Sequence, residues 1–371
     1  MYGTYFSNPL SDLIQNENYS RSTQVYVNAF ADIKLWKGLV FRTEYAANFN
    51  YSNDYKFTPS YDYEHFKQQS SASRGASNGS NWTLKTYFTY NNTFGKHGLS
   101  AMLGHEAQEN KYESLSGSRT NFLFNSVHEL DAGDATTAKA NSSRGSSAIE
   151  SYFGRLNYSY KGKYMFAASL RHEGSTKFGA DHKWGNFPSV SAAWNIKGEQ
   201  FLEDTDVLSI LKLRAGYGVT GTVPSDPYMS LNTLNFGTYV YYNNQWIKTI
   251  RPDSNANPEL RWEKKKEINI GVDFGFWEDR ITGNIDYYNR KTEDLLWDYD
   301  VPSPPYLFSR MVANAGSMRN QGIEAGITVI PVQTKDFQWT TSMNYSTNKT
   351  NFVTFQRSVC LQRLLGSRFY G

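Results

Sequence analysis

Apolar and polar residues alternate with a period of two along most of this chain. In "EINIGVDFGFW", Ile268, Ile270, Val272, Phe274 and Phe276 fall on one side, and Glu267, Asn269, Gly271, Asp273 and Gly275 on the other. After a tight turn at "EDR", "ITGNIDYYN" sets Ile281, Gly283, Ile285 and Tyr287 against Thr282, Asn284 and Asp286. A helix would return its apolar residues every three or four positions, so the pattern predicts strands. The same unit recurs: "TQVYVNAFADI" turns at "KLWKG" into "LVFRTEYAANF", and "WTLKTYFTYNN" at "TFGKHG" into "LSAMLGHE". "YFGRLNYSY" turns at "KGK" into "YMFAASLRHE", and "PSVSAAWNI" leads through a longer connection to "ILKLRAGYGV". "GIEAGITVI" turns at "PVQTKD" into "FQWTTSMNYSTN". About twelve strands result, most of roughly nine to eleven residues, a length that crosses a bilayer when tilted.

The connections narrow the fold further. Short turns alternate with long loops at Asn50–Asn81, Ala107–Ser151, Glu173–Phe187, Thr220–Lys265 and Arg290–Gln321. A soluble sandwich would scatter its loop lengths over both ends. A transmembrane barrel keeps short turns on the periplasmic side and long loops outside. The expected fold is all-β: an antiparallel transmembrane β-barrel fragment of about twelve strands. Its backbone hydrogen bonds are made between strands, as hydrocarbon requires. The face carrying Ile268, Ile270, Val272, Phe274, Ile281, Ile285, Ile323, Ile327, Trp339 and Met343 is expected to meet lipid, and the opposite face a polar lumen. Trp36, Trp277, Tyr158 and Tyr160, near strand ends, suit interfacial girdles; the plainer alternative is that they cover an ordinary core.

Composition agrees with β-structure that has a wet side. Aromatics are 16% of the 371 residues while hydrophobics reach only 39%. The chain is polar on average, with a mean hydropathy of −0.61, and has no apolar run long enough for a membrane helix. The net charge of +3 is too small to argue for a nucleic-acid partner, and the basic run "RWEKKKE" is balanced by Glu263 and Glu267. A single cysteine, Cys360, excludes an internal disulfide and a thiolate metal site. The start, "MYGTYFSNPL", has no secretory-signal pattern.

"GYGVTG" at Gly216–Gly221 fits the dinucleotide fingerprint G-x-G-x-x-G. That fingerprint needs a helix to open directly after it, so that backbone amides can hold a pyrophosphate. Here "TVPSDPYMS" follows, and Pro224, Asp226 and Pro227 break a helix rather than start one. No nucleotide cofactor is expected.

Longer segments resemble a known family. "NANPELRWEKKKEINIGVDFGFWEDRITGNIDYYNRKTEDLLW" is similar to the Asn-Pro-x-Leu-x-Trp-Glu segment and following hairpin of SusC/RagA-type TonB-dependent outer-membrane transporters. "NAGSMRNQGIEAGI" resembles that family's Asn-x-Gly-x-x-x-Asn-x-Gly-Ile-Glu strand start. "SYFGRLNYSYKGKYMFAASLRHEGSTKFGADHKWGNFPSVSAAWNI" resembles its Arg-x-Asp/Glu-Gly-Ser loop and the strands on either side. "LRAGYGVTG" then occupies a position where a lumen-facing strand leaves the barrel. There Gly216 and Gly218 are expected to keep crowded lumen positions small, and Gly221 to serve a turn. The resemblance implies a 22-stranded barrel with an N-terminal plug and a SusD-like lipoprotein lid, importing glycans or peptides with energy delivered through TonB. Against that pattern the chain reads as residues 1–371 of one barrel domain, without the plug and the terminal strands. "LLGSRFYG" resembles a stretch that normally precedes several more strands. Isolated, such a piece is expected not to fold stably, because its two open edges leave backbone groups unpaired in lipid.

No catalytic set stands out, so no enzyme is expected. Loop carboxylates such as Glu293 and Asp294 read as solvated or ion-binding, and His172 and His182 lack metal-ligand spacing. The loops do carry a binding signal. "YVYYNNQW" and "LLWDYDVPSPPYLF" combine aromatics with amides, carboxylates and prolines, a mixture that stacks on sugars and bonds their hydroxyls. Tyr239, Tyr241, Tyr242, Trp246, Trp297 and Tyr299 are the candidate substrate or lid contacts; packing on neighbouring loops is the simpler use of such rings. The expected partners are a SusD-like surface lipoprotein, the TonB complex, outer-membrane lipids and a glycan or peptide substrate, in the outer membrane of a Gram-negative bacterium. A passive porin-like channel needs no plug and is distinguished by what the gene encodes upstream. A soluble glycan-binding β-protein would need no detergent.

Overall fold

The structure, a computed structural model, describes residues 16–63, 66–202 and 204–354; Cys360 and "LLGSRFYG" lie outside them. The strands begin with β1 (Glu17–Trp36), β2 (Leu39–Thr58), β3 (Tyr61–Tyr63), β4 (Phe66–Gln68), β5 (Ser71–Phe94) and β6 (His97–Thr120). Next come β7 (Lys139–Tyr160), β8 (Tyr164–Ser175), β9 (Trp184–Asn195) and β10 (Leu208–Thr222). β11 (Leu234–Tyr242) and β12 (Gln245–Pro252) precede β13 (Glu263–Phe276) and β14 (Ile281–Glu293). β15 (Leu296–Asp300) and β16 (Arg310–Asn314) precede β17 (Ser317–Gln333), β18 (Gln338–Ser346) and β19 (Lys349–Thr354). Thirteen of these make one sheet, in the order β1-β2-β5-β6-β7-β8-β9-β10-β13-β14-β17-β18, with β19 also on β17. The twelve strands read from the alternation all lie in it. Among the described residues β1 and β18 stand at the two ends of this order and do not pair with each other.

Strand length corrects the sequence reading. The first five sheet strands run 20 to 24 residues rather than nine to eleven. The segments Asn50–Asn81 and Ala107–Ser151, expected as loops, are largely paired strand. Ala107–Thr120 is mostly polar on both faces, so alternation fades there while backbone pairing continues; in Asn50–Thr58 Tyr51, Tyr55 and Phe57 still share one side. By internal packing the chain divides into two compact units, the first drawn from Met1–Phe30, Glu44–Leu84 and Ala107–Ala148. Within it, polar side chains meet across strands: Ser22 donates to Asn50 (3.0 Å), Trp82 Nε1 donates to Glu109 (3.0 Å), and Ser114 meets Ser143 (2.7 Å). A small core of Phe57, Ala72 and Phe122 forms where β2 and β5 end, and His128 stacks on Phe57 at 4.0 Å.

The second unit, Ala31–Thr43, Lys85–Glu106 and Ile149–Gly371, carries the clearest two-faced wall. Pairing sets Ala215 opposite Ile270, Ile270 opposite Tyr287, and Tyr287 opposite Ile323. The neighbouring rows are Leu213, Val272, Ile285 and Ala325, and Phe274, Gly283, Ile327 and Met343. Ile268, Ile270, Ile285, Ile323, Ile327, Trp339 and Met343 are all exposed on this apolar face, whereas Val272, Phe274 and Ile281 are half-buried among neighbours. A soluble sheet would cover such rows.

The opposite face centres on an ion cluster. Arg214 donates two hydrogen bonds to Asp273 (2.9 and 2.7 Å) and reaches Asp286 at 3.1 Å. Gly271 makes room for it: a Cβ there would lie 2.2 Å from Asp286 Oδ1 and 2.8 Å from the guanidinium. Asn284 donates to Asp286 at 2.8 Å. Arg214→Leu is expected to destabilise the folded barrel by about 2 kcal/mol, less than for a fully buried pair because a third of Arg214 meets water. Thermal unfolding of the full-length protein checks this, with Asp273→Asn expected to cost less.

Two expectations about the glycine run are corrected. Gly216 and Gly218 do face the side of Arg214, but an added Cβ would meet only Ser191 or Ser189 at 3.6 Å, an ordinary contact. Gly221 is not in a turn. It lies inside β10, where a Cβ would come within 2.4 Å of the Phe187 ring and 2.7 Å of Trp262. β10 pairs antiparallel with both β9 and β13, and no helix follows it. The nucleotide pattern therefore has no structural counterpart.

Candidate functional site

At the long-loop end of the second unit, the motif segments lock three loops together. Phe178, Phe187, Val219, Leu260 and Trp262 form a buried cluster, with Leu260 fully covered and Trp262 only 3% exposed. The Trp262 Nε1–H donates to the Lys183 carbonyl at 2.8 Å, and the Gly179 N–H donates to the Leu260 carbonyl at 3.3 Å. Gly179 comes so close to the Asn-Pro segment that a Cβ would sit 1.7 Å from the Pro258 carbonyl oxygen. Lys177 donates to the carbonyls of Pro224 and Ser225. Asn257, buried, donates to the Val312 carbonyl at 2.9 Å, and Asn314 both accepts from and donates to the Arg261 backbone. The residues that carry the family resemblance here are thus a structural clamp for the loops.

From that clamp two hairpins project. β11 and β12 pair only with each other and are joined by Asn243 and Asn244, both with positive φ (49° and 62°). Two consecutive left-handed residues make the type I′ turn whose twist matches paired strands. The segment Thr220–Lys265, expected as a plain loop, therefore holds a hairpin that its Asn-Asn pair signalled. Tyr241 faces Trp246 across the strands, with ring centroids 5.2 Å apart, and Tyr239 and Lys248 share that face by register. The Tyr241 hydroxyl donates to Asn244 at 2.7 Å, fixing one ring. Tyr242, Val240 and Ile247 lie on the other face by register. Tyr239, Tyr241, Tyr242 and Trp246 are all more than half exposed. Phe236, Ile247 and Ile250 extend the apolar surface, and the aromatic count alone did not single them out.

The second hairpin, β15–β16, separates the other two candidates. Trp297 is 63% exposed. Tyr299 is 3% exposed, packed with Val301, Met311, Ala313 and Ala315, and its hydroxyl donates to the Ala315 carbonyl. Burial pushes its phenol pKa up. Tyr299 therefore holds its own loop together and offers no free ring, because it folds inward against Met311, Ala313 and Ala315.

Charged loop groups are likewise spoken for. Glu293 accepts from Lys266 (2.5 Å) and Lys291 (2.9 Å), and Asp294 from Arg261 (2.7 Å). His172 stacks on Trp184 at 4.6 Å and bonds Asn186, while His182 meets Glu259 at 3.1 Å. No cluster suited to a metal ion occurs among the described residues.

Antiparallel strands with one exposed apolar face, short turns at one end and folded loops at the other define the wall of a membrane β-barrel. The chain belongs to the TonB dependent receptor-like, beta-barrel family, which matches residues 2–359. It is 32% identical over 362 residues to TonB-dependent receptor P3 of Formosa agariphila, covering 95% of this chain and 36% of that protein. It is 37% identical over 276 residues to TonB-dependent receptor SusC of Bacteroides thetaiotaomicron, covering 72% of this chain and 27% of that one. The RagAB peptide transporter superposes with a TM-score of 0.88 at 24% identity, over 95% of this chain and 39% of that one. These relatives support the SusC/RagA-type resemblance. The chain spans about a third of the length of the curated relatives it matches.

Proposed function

We propose that the chain is part of the barrel wall of an outer-membrane nutrient importer of the SusC/RagA type. In this reading residues 1–371 belong to one barrel domain of a longer protein. The apolar rows from Leu213 to Met343 face lipid, the Arg214 cluster faces the lumen, and the long loops face outward. The observation that carries the reading is the exposed, in-register apolar face of β10, β13, β14, β17 and β18, set against a polar face bearing ion pairs. Such a wall is stable only where lipid covers it. The protein acts by binding and passage rather than by catalysis. The substrate is an oligosaccharide or a peptide, captured with a SusD-like lipoprotein lid and moved with energy delivered through TonB.

Within this reading the β11–β12 hairpin is the contact for lid or substrate. Its exposed rings on both faces, on a hairpin stiffened by a type I′ turn, suit a partner that closes over them or a sugar that stacks on them. Replacing Tyr241, Tyr242 and Trp246 together by Ala in the full-length protein is expected to lower co-purification of the lipoprotein or growth on the cognate nutrient at least about tenfold, the scale of a lost aromatic hot spot. Barrel folding, read by heat-modifiable migration, should be unchanged. Normal growth together with normal co-purification would show that the hairpin is surface packing only.

A further inference from the structure

The connection from β6 to β7, residues 121–138, exposes apolar side chains in a segment that is otherwise tied down. It opens with "NFLFNSVHEL". Of these apolar residues Phe122 and Leu130 pack inward, on the small core of Phe57 and Ala72. Leu123 is 86% exposed and Phe124 67%, with Val127 exposed close by in sequence.

The backbone is pinned on both sides of Leu123 and Phe124. Before them, Phe122 is 6% exposed and meets the Phe57 ring edge-on at 5.4 Å. Its N–H donates to Ser70 Oγ at 2.8 Å, and the Asn121 N–H donates to the Ser70 carbonyl at 3.0 Å. After them, Asn125 is bound to Ser60. Its Oδ1 accepts from the Ser60 N–H (2.9 Å) and hydroxyl (3.1 Å), and its Nδ2 donates to the Ser60 carbonyl (2.9 Å). His128 stacks on Phe57 and bonds Glu17 at 2.7 Å, while its carbonyl accepts from Arg74 at 2.7 Å. A loop held in this way keeps its two outermost apolar side chains away from its own core. They are presented in place before any partner arrives, which lowers the ordering cost of association.

The charge of the segment is one-sided. Residues 121–138 contain Glu129, Asp131 and Asp134 and no lysine or arginine. Asp134 accepts from the N–H and the hydroxyl of Thr136. Glu129 and Asp131 are exposed and form no ion pair among the described residues. Arg119, the cation beside them, bonds the backbone carbonyls of Asp131 and Gly133. Apolar anchors beside open carboxylates complement an apolar pocket with a basic rim. Leucine and valine offer a sugar neither a ring to stack on nor a hydrogen bond, so the surface fits a protein.

We propose that Leu123 and Phe124 are a preformed docking knob for a protein partner whose surface offers an apolar pocket ringed by basic side chains. The inference rests on the importer reading, in which that partner is the surface lipoprotein. It adds a contact in the first unit to the β11–β12 hairpin of the second.

The test uses the full-length protein co-produced with its tagged lipoprotein. Leu123→Ser combined with Phe124→Ser is expected to lower co-purification of the lipoprotein about tenfold, the scale of a lost aromatic hot spot. Heat-modifiable migration of the barrel should be unchanged, since neither side chain packs on the core. Glu129→Lys combined with Asp131→Lys should lower co-purification about fivefold at low salt and by less at high salt, as screening removes the repulsion. With Phe124 replaced by p-benzoylphenylalanine, illumination of cells should link the protein to the lipoprotein. Co-purification unchanged in the serine variant would overturn the knob, as would a photoproduct formed only within the transporter's own chain. If wild type itself retains no lipoprotein, the lid reading falls. If wild type and the serine variant retain it equally, the lid reading stands and the knob alone is lost.

Discussion

Replacing Trp262 by Ala is expected to destabilise the long-loop end of the full-length protein by about 3–5 kcal/mol, the range for truncating a buried large aromatic. Trp262 packs against Phe178 at 4.8 Å and Phe187 at 5.0 Å between ring centroids, and its indole N–H satisfies the Lys183 carbonyl. Truncation leaves a cavity that the surrounding loops cannot fill, since Gly179 already sits against Pro258. Trp262→Phe keeps most of the apolar area and loses chiefly the hydrogen bond, so about 1–2 kcal/mol is expected. The measurement is protease nicking within Thr176–Lys183 alongside thermal unfolding. Nicking should rise steeply for the alanine variant, by much less for phenylalanine. If the alanine variant resists protease as wild type does, the clamp is not what orders these loops.

Arginine on the apolar rows should separate the two faces of the wall. Ile270→Arg or Ile285→Arg is expected to cost about 2–4 kcal/mol where the site lies near the bilayer midplane. Both residues are half exposed on the face shared with Leu213, Ile323 and Ile327, so in a membrane the guanidinium would enter hydrocarbon. Asn269→Arg places the same group on the face of Arg214, where water and carboxylates receive it, and the cost should fall below about 1 kcal/mol. Urea unfolding of the complete barrel in lipid vesicles measures the difference. Equal costs on the two faces would mean that neither meets hydrocarbon.

The positions of these residues also mark how far sequence reading reached. The chain by itself determined the twelve paired strands, which side of each is apolar, and the family. The strands and their faces follow from alternation, because side chains leave a strand at half-turn intervals and one register decides both faces. The family was legible only through the resemblance of long motif segments. It also held the Asn243–Asn244 turn signal for β11–β12, although the surrounding loop length concealed it. Strand length beyond the apolar band was not legible. From Ala107 to Thr120 both faces are mostly polar, and backbone pairing leaves no periodic mark on side chains that need not be apolar.

Only the tertiary structure separated Tyr299 from Tyr241. Both are loop tyrosines beside Trp and Asp or Asn, yet one folds over Ala313 and Met311 while the other stands on an isolated hairpin. Burial of a ring depends on the size of partners elsewhere in the chain, which local composition does not encode. The same holds for Gly221, whose missing side chain is explained by Phe187 and Trp262, residues brought against it from 34 positions before and 41 after. The Asn-Pro-Glu-Leu-Arg-Trp motif stood out in the sequence as a family mark, but its physical task is a contact between distant loops. Contacts of that kind are made by geometry, and geometry is settled when the sheet brings its loop ends together.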